Sequence, residues 1–319
     1  MTNRSLIVGL GQIGMGYDLH LDSNKFVYTH ARALTLHPAF EVVAGVDNFE
    51  KHRKLFEEHY KLPTYASIKE ALEEQNPIVV VIATPTENHY LAISEVLANS
   101  SPKVIICEKP LAYNLFEANQ IVDICEKAGV GLFVNYMRRA DPGCIEIKSR
   151  IESGIISGPI KAVVWYSKGL LHNGSHLFNL LEFWLGPFVQ GSVIVPGRIC
   201  GIHDFEPDIH VEFKKGSAIF LSAWEESFSQ CTIELLSPSG RLMYEKGGEI
   251  INWQSKQASP NLDGYLELSS IPELIETGML TYQSHVLNQL LLVMEDLPCS
   301  LCTGKDSLKT LESIFQIIN

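Results

Sequence analysis

Short apolar runs alternate with amphipathic segments through the first 135 residues of the chain. The apolar runs predict strands at residues 5–9, 41–46, 78–83, 103–107 and 131–135. Apolar residues at helical spacing predict helices at 48–59, 67–75, 87–98 and 114–128. Strands that alternate with helices in this way indicate a parallel sheet with crossover helices. We therefore expect residues 1–135 to form an α/β domain.

The pattern changes after residue 136. A helix is predicted at 143–152, followed by alternating segments at 160–167, 208–214, 218–224, 231–237 and 241–245. Turn pairs such as Lys215-Gly216 and Ser239-Gly240 separate these segments, as expected for antiparallel hairpins. Further helices are predicted at 175–185, 282–295 and 306–318. Residues 136–319 are thus expected to form a second domain of the α+β class with a largely antiparallel sheet.

The composition is that of an ordinary globular protein with an acidic balance. Hydrophobic residues make up 46% of the 319 residues and charged residues 19%, with a formal net charge of −12. This charge disfavours nucleic acid or an anionic membrane as a partner, and no apolar run approaches the ~18 residues of a membrane span. The apolar stretch at 6–10 is too short for an export signal. Because most of the seven cysteines lie in apolar runs, we expect a cytoplasmic protein with reduced thiols.

A glycine-rich turn follows the first predicted strand. Its sequence, Gly9-Leu10-Gly11-Gln12-Ile13-Gly14, has the GxGxxG spacing of dinucleotide-binding turns. In that setting glycines allow a tight turn and a close approach of the backbone to a pyrophosphate. We therefore predict a dinucleotide site that includes Gly9, Gly11, Gln12, Ile13 and Gly14. A glycine turn without a ligand is the alternative.

Further cofactor contacts are expected where the next two strands end. Asp47 ends the second predicted strand and can accept hydrogen bonds from ribose hydroxyls, which favours NAD, with NADP as the alternative. Thr84 and Pro85 follow the third strand, and His89 lies one helical turn further on. The same segment can also be read as an ordinary capped helix start.

The segment between the glycine turn and Asp47 is longer than in typical dinucleotide sites. Gly14 and Asp47 are 33 residues apart, whereas the usual separation is about 20. We assign the excess to a loop at 16–28, followed by a helix from about residue 29 to residue 36. A long loop in a compact domain is more often functional than idle, so this loop could contact substrate.

Glu108-Lys109-Pro110 follows the fourth predicted strand, at the sheet edge where cofactor and substrate meet in such domains. Pro110 ends the strand. Glu108 and Lys109 are thus expected beside the cofactor. A lysine in that place can hold a reacting oxygen and stabilise the negative charge that develops on it.

A second polar cluster surrounds the start of the helix predicted at 175–185. It contains His172, Asn173, His176 and Asn179, of which the last two share a helix face. Histidine titrates in the range needed to take a proton from a secondary alcohol, so His176 is the candidate base. A core histidine with a satisfied hydrogen bond is the alternative. A metal held by His172 and His176 would need a third ligand, and we predict no metal site.

Together these motifs resemble the glucose–fructose oxidoreductase/inositol dehydrogenase (Gfo/Idh/MocA) family. The resemblance spans essentially the whole chain and rests on the glycine turn, Ala83-Thr84-Pro85-Thr86, Glu108-Lys109-Pro110-Leu111-Ala112, Tyr136-Met137-Arg138-Arg139 and the Gly-x-His at 174–176. It implies a Rossmann dinucleotide-binding domain followed by an α+β domain whose open sheet often mediates homo-oligomers, here a dimer or tetramer. It also implies NAD(P)-dependent oxidation or reduction of a small carbohydrate-like substrate.

The resemblance also assigns roles to individual residues. Lys109 matches the family's active-site lysine and His176 its catalytic histidine, while Tyr136 and Arg138 match positions that often line the substrate cleft. His172 and Asn179 stand where the family commonly has aspartates, so the proton relay does not transfer, and His172 is the alternative titrating group. These two residues, with Asn173, are instead expected to bind substrate hydroxyls.

The activity expected from these residues is hydride transfer between NAD and a secondary hydroxyl or ketone of a sugar, polyol or sugar derivative. Two alternatives stay open. The enzyme could retain a tightly bound NAD and use it for transient oxidation during glycosidic cleavage or group transfer. Because of the altered aspartate positions, the chain could also be a catalytically inactive nucleotide-binding sensor.

Overall fold

The computed structural model describes residues 2–201 and 203–319. The strands are, in chain order, β1 (Asn3–Val8), β2 (Phe40–Val46), β3 (Thr64–Tyr65), β4 (Val79–Ile82), β5 (Val104–Cys107), β6 (Gly131–Val134), β7 (Ile160–Tyr166), β8 (Phe188–Cys200), β9 (Asp204–Phe213), β10 (Gly216–Ser222), β11 (Cys231–Ser237), β12 (Gly240–Glu245), β13 (Ile250–Ala258), β14 (Leu266–Leu268), β15 (Glu273–Ile275) and β16 (Cys302–Thr303). The α-helices are α1 (His30–Leu36), α2 (Glu50–Tyr60), α3 (Ile68–Gln75), α4 (His89–Asn99), α5 (Leu115–Ala128), α6 (Pro142–Glu152), α7 (Ser175–Leu185), α8 (Tyr282–Met294) and α9 (Gly304–Ile318). Among the described residues, no helix combines the length and the apolarity needed to cross a membrane.

The chain forms two compact units. The first runs to Ala140 and also includes Leu280–Leu308, and the second comprises Asp141–Met279 and Lys309–Asn319. A single division after residue 135 was expected, and α8 and β16 group differently from that expectation. The reason is long-range pairing, because β16 pairs with β6 and α8 adds Val286, Leu287 and Leu290 to the core of the first unit.

The sheet of the first unit has the strand order β16-β6-β5-β4-β1-β2-β3. β16 is antiparallel to β6, and the other pairs are parallel. Apart from β16, this is the 3-2-1-4-5-6 order of doubly wound dinucleotide-binding folds. The order reverses between β1 and β4, and ligands bind such sheets outside the carboxyl ends of the strands at that reversal. The predicted Rossmann domain is confirmed.

The central strands of this sheet form where the sequence is continuously apolar. β4 and β5 are buried along their whole length, as expected when helices cover both faces of a parallel sheet. The helices predicted at 67–75 and 114–128 form as α3 and α5. The side chains of Ser67 and Asn114 accept hydrogen bonds at the N-termini of α3 and α5, and Gly129 ends α5 with a left-handed φ of 68°.

The region after the glycine turn contains the expected loop. A π-helical turn occupies Gln12–Gly16, and α1 begins only at His30, with Thr29 as its N-cap. The loop between them folds around the buried side chain of Asp18, which accepts the Tyr28 N–H at 2.7 Å. The extra residues are thus held by specific hydrogen bonds within the first unit.

The sheet of the second unit has the order β14-β13-β12-β11-β7-β10-β9-β8, with β15 paired to β13. β7 and β10 are parallel, and the other pairs are antiparallel, which confirms the largely antiparallel sheet. β8, β13, β14 and β15 were not predicted. β8 is thirteen residues long and mostly exposed, so it lacks the alternation of buried and exposed residues that identifies a strand in sequence.

The buried face of this sheet packs against α7. Buried and exposed residues alternate strictly along β7, which gives the sheet one apolar face toward the helix. The ring of Phe178 of α7 contacts the rings of Phe213 and Phe220, with centroid distances of 5.5 and 5.7 Å. Trp184 donates from Nε1 to the carbonyl of Cys144 in α6 at 2.9 Å. The start of α7, which carries the candidate base, therefore rests on a rigid core.

Candidate functional site

A cavity of about 550 Å³ opens at the carboxyl ends of β1, β2 and β4. Five of the predicted cofactor contacts line it, namely Gly9, Gly11, Asp47, Thr84 and Pro85. The remaining lining includes residues at the starts of α2, α3 and α4. The cavity lies where the strand order of the sheet reverses, and its volume is in the range of about 300–1,000 Å³ found for small-molecule sites.

The three glycines of the turn meet different steric surroundings, which explain why each position favours glycine. Gly9 has a φ of +99°, and a Cβ there would lie 2.6 Å from the Ala83 carbonyl oxygen. A Cβ on Gly14 would lie 2.1 Å from the Gly9 oxygen. A Cβ on Gly11, by contrast, would meet nothing within 4 Å. The first and third glycines thus let the turn pack, and the second faces open space through which a pyrophosphate can approach the backbone.

The carboxylate of Asp47 links the end of β2 to the glycine turn. Its Oδ2 accepts the Leu10 N–H at 2.8 Å and lies 3.1 Å from Nδ1 of His52. Arg53 is turned to the backbone, because its Nη1 donates to the carbonyl oxygens of Asp47 and Asn48 at 2.8 and 3.1 Å. The rim of the cavity at this point therefore presents an anionic group.

Thr84 and His89 differ in their relation to the cavity. Thr84 lines it, and its Oγ1 is buried without a hydrogen-bond partner among the described residues. His89 is buried, and its ring nitrogens lie 3.1 Å from the carbonyl oxygens of Leu111 and of Thr84. Burial lowers the pKa of His89 despite these hydrogen bonds. His89 thus joins the turn after β4 to the turn after β5.

The Glu108-Lys109-Pro110 turn follows β5 at the same edge of the sheet. Lys109 is half-buried, while Glu108 is buried, with Oε1 2.7 Å from both His30 Nε2 and Asn135 Nδ2. Burial works to raise the pKa of Glu108, but the His30 and Asn135 hydrogen bonds and the Lys109 charge lower it below its ordinary value. An ionised carboxylate therefore lies directly beside the lysine.

Tyr136 and Arg138 follow β6, the next strand along this edge. Both side chains are buried. The Tyr136 N–H donates to the Val134 carbonyl at 2.7 Å, and Nη1 of Arg138 lies 3.8 Å from Sδ of Met137.

The polar cluster of the second unit lies on a π-helical turn at Leu170–Gly174 and on the first turn of α7. The turn leaves His172 exposed and Asn173 half-buried. His176 is buried, with 7% of its surface exposed. The two histidines thus have different environments although they are four residues apart.

Asn179 makes a contact between helices. It is 1% exposed, and its Nδ2 donates to Oγ1 of Thr310 in α9 at 3.0 Å. Thr310 in turn donates to Glu182 of α7. The amide nitrogen of Asn179 is therefore used within the second unit.

Two buried carboxylates from β9 hold the 170–174 turn, and sequence reasoning missed both. Asp204 accepts the N–H groups of Leu171 and His172 at 2.9 and 2.8 Å, and Glu206 accepts that of Gly169 at 3.1 Å. Burial raises the pKa of Asp204, and the backbone hydrogen bonds act against that rise.

Some signals for the missed residues were present in the sequence. Asp204, Glu206 and Asp208 alternate along β9, a pattern that ordinarily indicates a solvent-facing strand side. His30 and Asn135 carry no local signal, because their shared partner, Glu108, is distant in sequence from both.

Comparison with known proteins agrees with this geometry. Residues 4–136 match the family model of the oxidoreductase family with an NAD-binding Rossmann fold, Gfo/Idh/MocA. The scyllo-inositol 2-dehydrogenase (NAD(+)) of Bacillus subtilis is 29% identical over 210 residues, which cover 64% of this chain and 52% of that enzyme. The chain spans about half the length of the curated relatives it matches.

Solved structures share the fold over nearly the whole chain. An NAD-binding oxidoreductase from Klebsiella pneumoniae has a TM-score of 0.78 at 16% identity, covering 99% of this chain and 96% of that one. The WlbA dehydrogenase of Bordetella pertussis, in complex with NADH and UDP-GlcNAcA, has a TM-score of 0.76 at 17% identity, covering 99% and 94%. Residues 4–136 thus match the Gfo/Idh/MocA oxidoreductase family, and the chain shares the fold of these solved oxidoreductases over nearly its whole length.

Proposed function

We propose that the protein is an NAD-dependent dehydrogenase or reductase that transfers hydride between nicotinamide and a secondary hydroxyl or ketone of a sugar, polyol or sugar derivative. The observation that carries the proposal is the cavity at the carboxyl edge of the first sheet, lined by the glycine turn, Asp47 and Thr84. The inositol dehydrogenase and WlbA, which binds NADH with UDP-GlcNAcA, support a carbohydrate-like substrate. The first unit would bind the nucleotide, and the second would bind substrate and mediate oligomers.

Bound NAD would supply the hydride acceptor or donor. In this proposal a ring nitrogen of His176 takes the proton of the reacting hydroxyl during oxidation and returns it during reduction. Nζ of Lys109 donates a hydrogen bond to the reacting oxygen and stabilises negative charge on it. The alcohol thus loses one hydride and one proton to become a ketone.

The remaining residues would bind rather than react. Substrate contacts are assigned to Tyr136, Arg138, His172, Asn173 and Asn179, and cofactor contacts to Gln12, Ile13, Gly14, His89 and Glu108 in addition to the residues that line the cavity. The Nδ2 atom of Asn179 already donates to Oγ1 of Thr310.

The carboxylate of Asp47 favours NAD over NADP. A ribose 2′-hydroxyl can donate to this carboxylate, whereas a 2′-phosphate would be repelled by it. Arg53 would offer no compensation in its present position, since its Nη1 donates to two backbone carbonyl groups.

We further propose that the exposed face of the second sheet mediates a homodimer or tetramer in the cytoplasm. Val163 and Trp165 of β7, Ile219 of β10 and Leu236 of β11 are 36%, 42%, 38% and 49% exposed. Clusters of exposed apolar side chains commonly mark protein interfaces. Light scattering of the wild-type protein and of Trp165→Glu tests this point, since the charge should produce monomers.

Cofactor binding is the first experiment. The purified protein is checked for retained nucleotide and is then titrated with NADH and with NADPH by fluorescence. Reversible binding that prefers NADH, followed by turnover in a screen of inositols, sugars and nucleotide sugars, is the expected result.

Other outcomes point elsewhere. Nucleotide retained through purification, without net NADH formation, would favour an enzyme that uses NAD for transient oxidation. Binding without turnover of any such substrate would favour a sensor. Failure to bind either nucleotide would overturn the proposal.

A further inference from the structure

A buried histidine, His30, holds the carboxylate that precedes Lys109. His30 is 2% exposed, and its Nε2 lies 2.7 Å from Oε1 of Glu108. Asn135 donates from Nδ2 to the same oxygen at 2.7 Å, and Oε2 lies 3.4 Å from the backbone nitrogen of Lys109. The carboxylate is therefore fixed from α1 and from the end of β6.

The 16–28 loop determines where His30 lies. Thr29, the N-cap of α1, donates from Oγ1 to Oδ1 of Asp18 at 2.8 Å, and its N–H donates to Oδ2 at 3.0 Å. Arg32 places its Nε 3.5 Å from Oδ1 of the same aspartate, and both side chains are buried. His30 stands between these two anchored residues, so the loop fixes the first turn of α1.

α8 closes the arrangement from the other side. The N–H of Val27 donates to the Leu280 carbonyl at 3.0 Å, and the N–H of Gln283 donates to the Val27 carbonyl at 3.3 Å. Nε2 of Gln283 lies 3.4 Å from Nε2 of His30. The histidine is therefore enclosed by α1, α8 and the Glu108 turn, all within the first unit.

We propose that His30 is a positioning residue for Lys109, because it fixes the Glu108 carboxylate and so the backbone turn from which the lysine side chain extends. This inference rests on the proposed function, in which Lys109 holds the reacting oxygen. His30 itself would touch neither substrate nor cofactor. The 16–28 loop would then position His30 next to the turn that contains Glu108.

The chemistry of the pair requires a donor at His30. An ionised carboxylate only accepts hydrogen bonds, so Nε2 of His30 must carry the proton. Glu108 is buried and has lost hydration, and removal of one donor leaves an incompletely paired buried charge. The carboxylate would then move or take up a proton, and the Lys109 turn would move with it.

Two substitutions separate positioning from packing. His30→Leu keeps a similar bulk but removes the donor, whereas His30→Gln keeps an N–H donor. His37→Leu is the matched control, because His37 is a half-buried residue at the end of the same helix, where its Nε2 lies 3.1 Å from Asn288 Oδ1. Thermal unfolding and NADH binding establish that each variant is folded.

Turnover is the first readout. We expect kcat of His30→Leu to fall by about tenfold to a hundredfold with little change in KM, because small displacements of a catalytic group have effects of this size. His30→Gln should recover most of kcat, and His37→Leu should match the wild type. Equal kcat in wild type and His30→Leu would overturn the proposal.

The second readout needs no activity. Lysines are labelled by reductive ¹³C-methylation, and the Lys109 resonance is assigned from its absence in Lys109→Arg. The chemical shift and the titration midpoint of this resonance should change in His30→Leu and be restored in His30→Gln. An unchanged resonance in a folded His30→Leu protein contradicts the proposal, even if the wild type has no detectable turnover and the proposed function has failed.

A further variant covers the case in which His30→Leu does not fold. Asn135→Ala removes the other donor to the same Glu108 oxygen and leaves the loop intact. It should shift the Lys109 resonance in the same direction. If that resonance stays at its wild-type position, the carboxylate does not position the lysine and the inference is wrong.

Discussion

The carboxylate of Asp204 accepts the backbone N–H of His172 at 2.8 Å, across 32 residues of sequence. The same carboxylate accepts the Leu171 N–H at 2.9 Å and that of Phe205 at 2.8 Å. A strand residue thus supplies the acceptor for backbone groups at the start of a helical turn, which have no partner within the turn. The turn that precedes His176 is fixed by a side chain from elsewhere in the second unit.

Replacement of Asp204 should destabilise the second unit. In Asp204→Ala the buried N–H groups of Leu171 and His172 lose their acceptor, and each unsatisfied group costs about 1–3 kcal/mol. Urea unfolding of the variant and the wild type measures the difference in the free energy of unfolding. An unchanged midpoint and slope would show that water replaces the carboxylate without cost.

The same carboxylate should give a pH dependence of known sign. Its pKa is raised above 3.8 in the folded protein, chiefly by burial, so the folded state binds the proton more tightly than the unfolded state. Its contribution to stability is therefore greatest below the unfolded pKa and is lost as the pH rises through the folded pKa. The free energy of unfolding of the wild type, relative to that of Asp204→Asn, should fall as the pH rises from the unfolded to the folded pKa of Asp204. A rise over this pH range would contradict the raised pKa.

Gly169 should be intolerant of a side chain for a reason beyond its backbone angle. It has a φ of +92°, and a Cβ would lie 2.0 Å from Oδ2 of Asp204. Gly154 is a matched control, because it has a φ of +82° and nothing within 4 Å of a Cβ. Gly154→Ala should cost about 1–2 kcal/mol from backbone strain alone, and Gly169→Ala should cost clearly more. If thermal unfolding shows the same loss of stability in both variants, the turn around Gly169 moves to accommodate the methyl group.

Lys109 and His176 should affect chemistry more than cofactor binding. We expect Lys109→Met and His176→Asn to lower kcat by about 10²- to 10⁴-fold, the usual contribution of a proton-transfer or oxygen-stabilising group. Their NADH dissociation constants should stay near that of the wild type. Lys69→Met, which changes an exposed lysine on α3, is the control. Full turnover in either site variant would remove that residue from the mechanism.

Most of the first unit was predictable because its signals are local. β4 and β5 are apolar runs, the glycine turn has a fixed spacing, and even the start of α1 after the extra loop follows from the excess length between the glycine turn and Asp47. These features depend on neighbouring residues, which the sequence shows directly.

The features that were missed depend on distant residues. His30 and Glu108 are 78 residues apart, and nothing near either of them indicates the pair. The return of Leu280–Leu308 to the first unit likewise depends on pairing between β16 and β6. For β8, exposure removes the apolar alternation, since its edge position leaves most side chains outside the core.

Asp47 should determine the preference between NADH and NADPH. Asp47→Asn keeps the shape of the side chain but removes the charge that attracts ribose hydroxyl donors and repels a 2′-phosphate. We expect the ratio of the two dissociation constants to shift toward NADPH by about tenfold, or about 1.4 kcal/mol. His52→Gln is the control. His52 lies 3.1 Å from the same carboxylate oxygen, and its replacement leaves the charge of Asp47 in place. Fluorescence titration of both nucleotides against each variant measures the ratio. If the two variants shift it equally, the packing around the carboxylate and not its charge sets the preference, and the assignment of NAD from Asp47 fails.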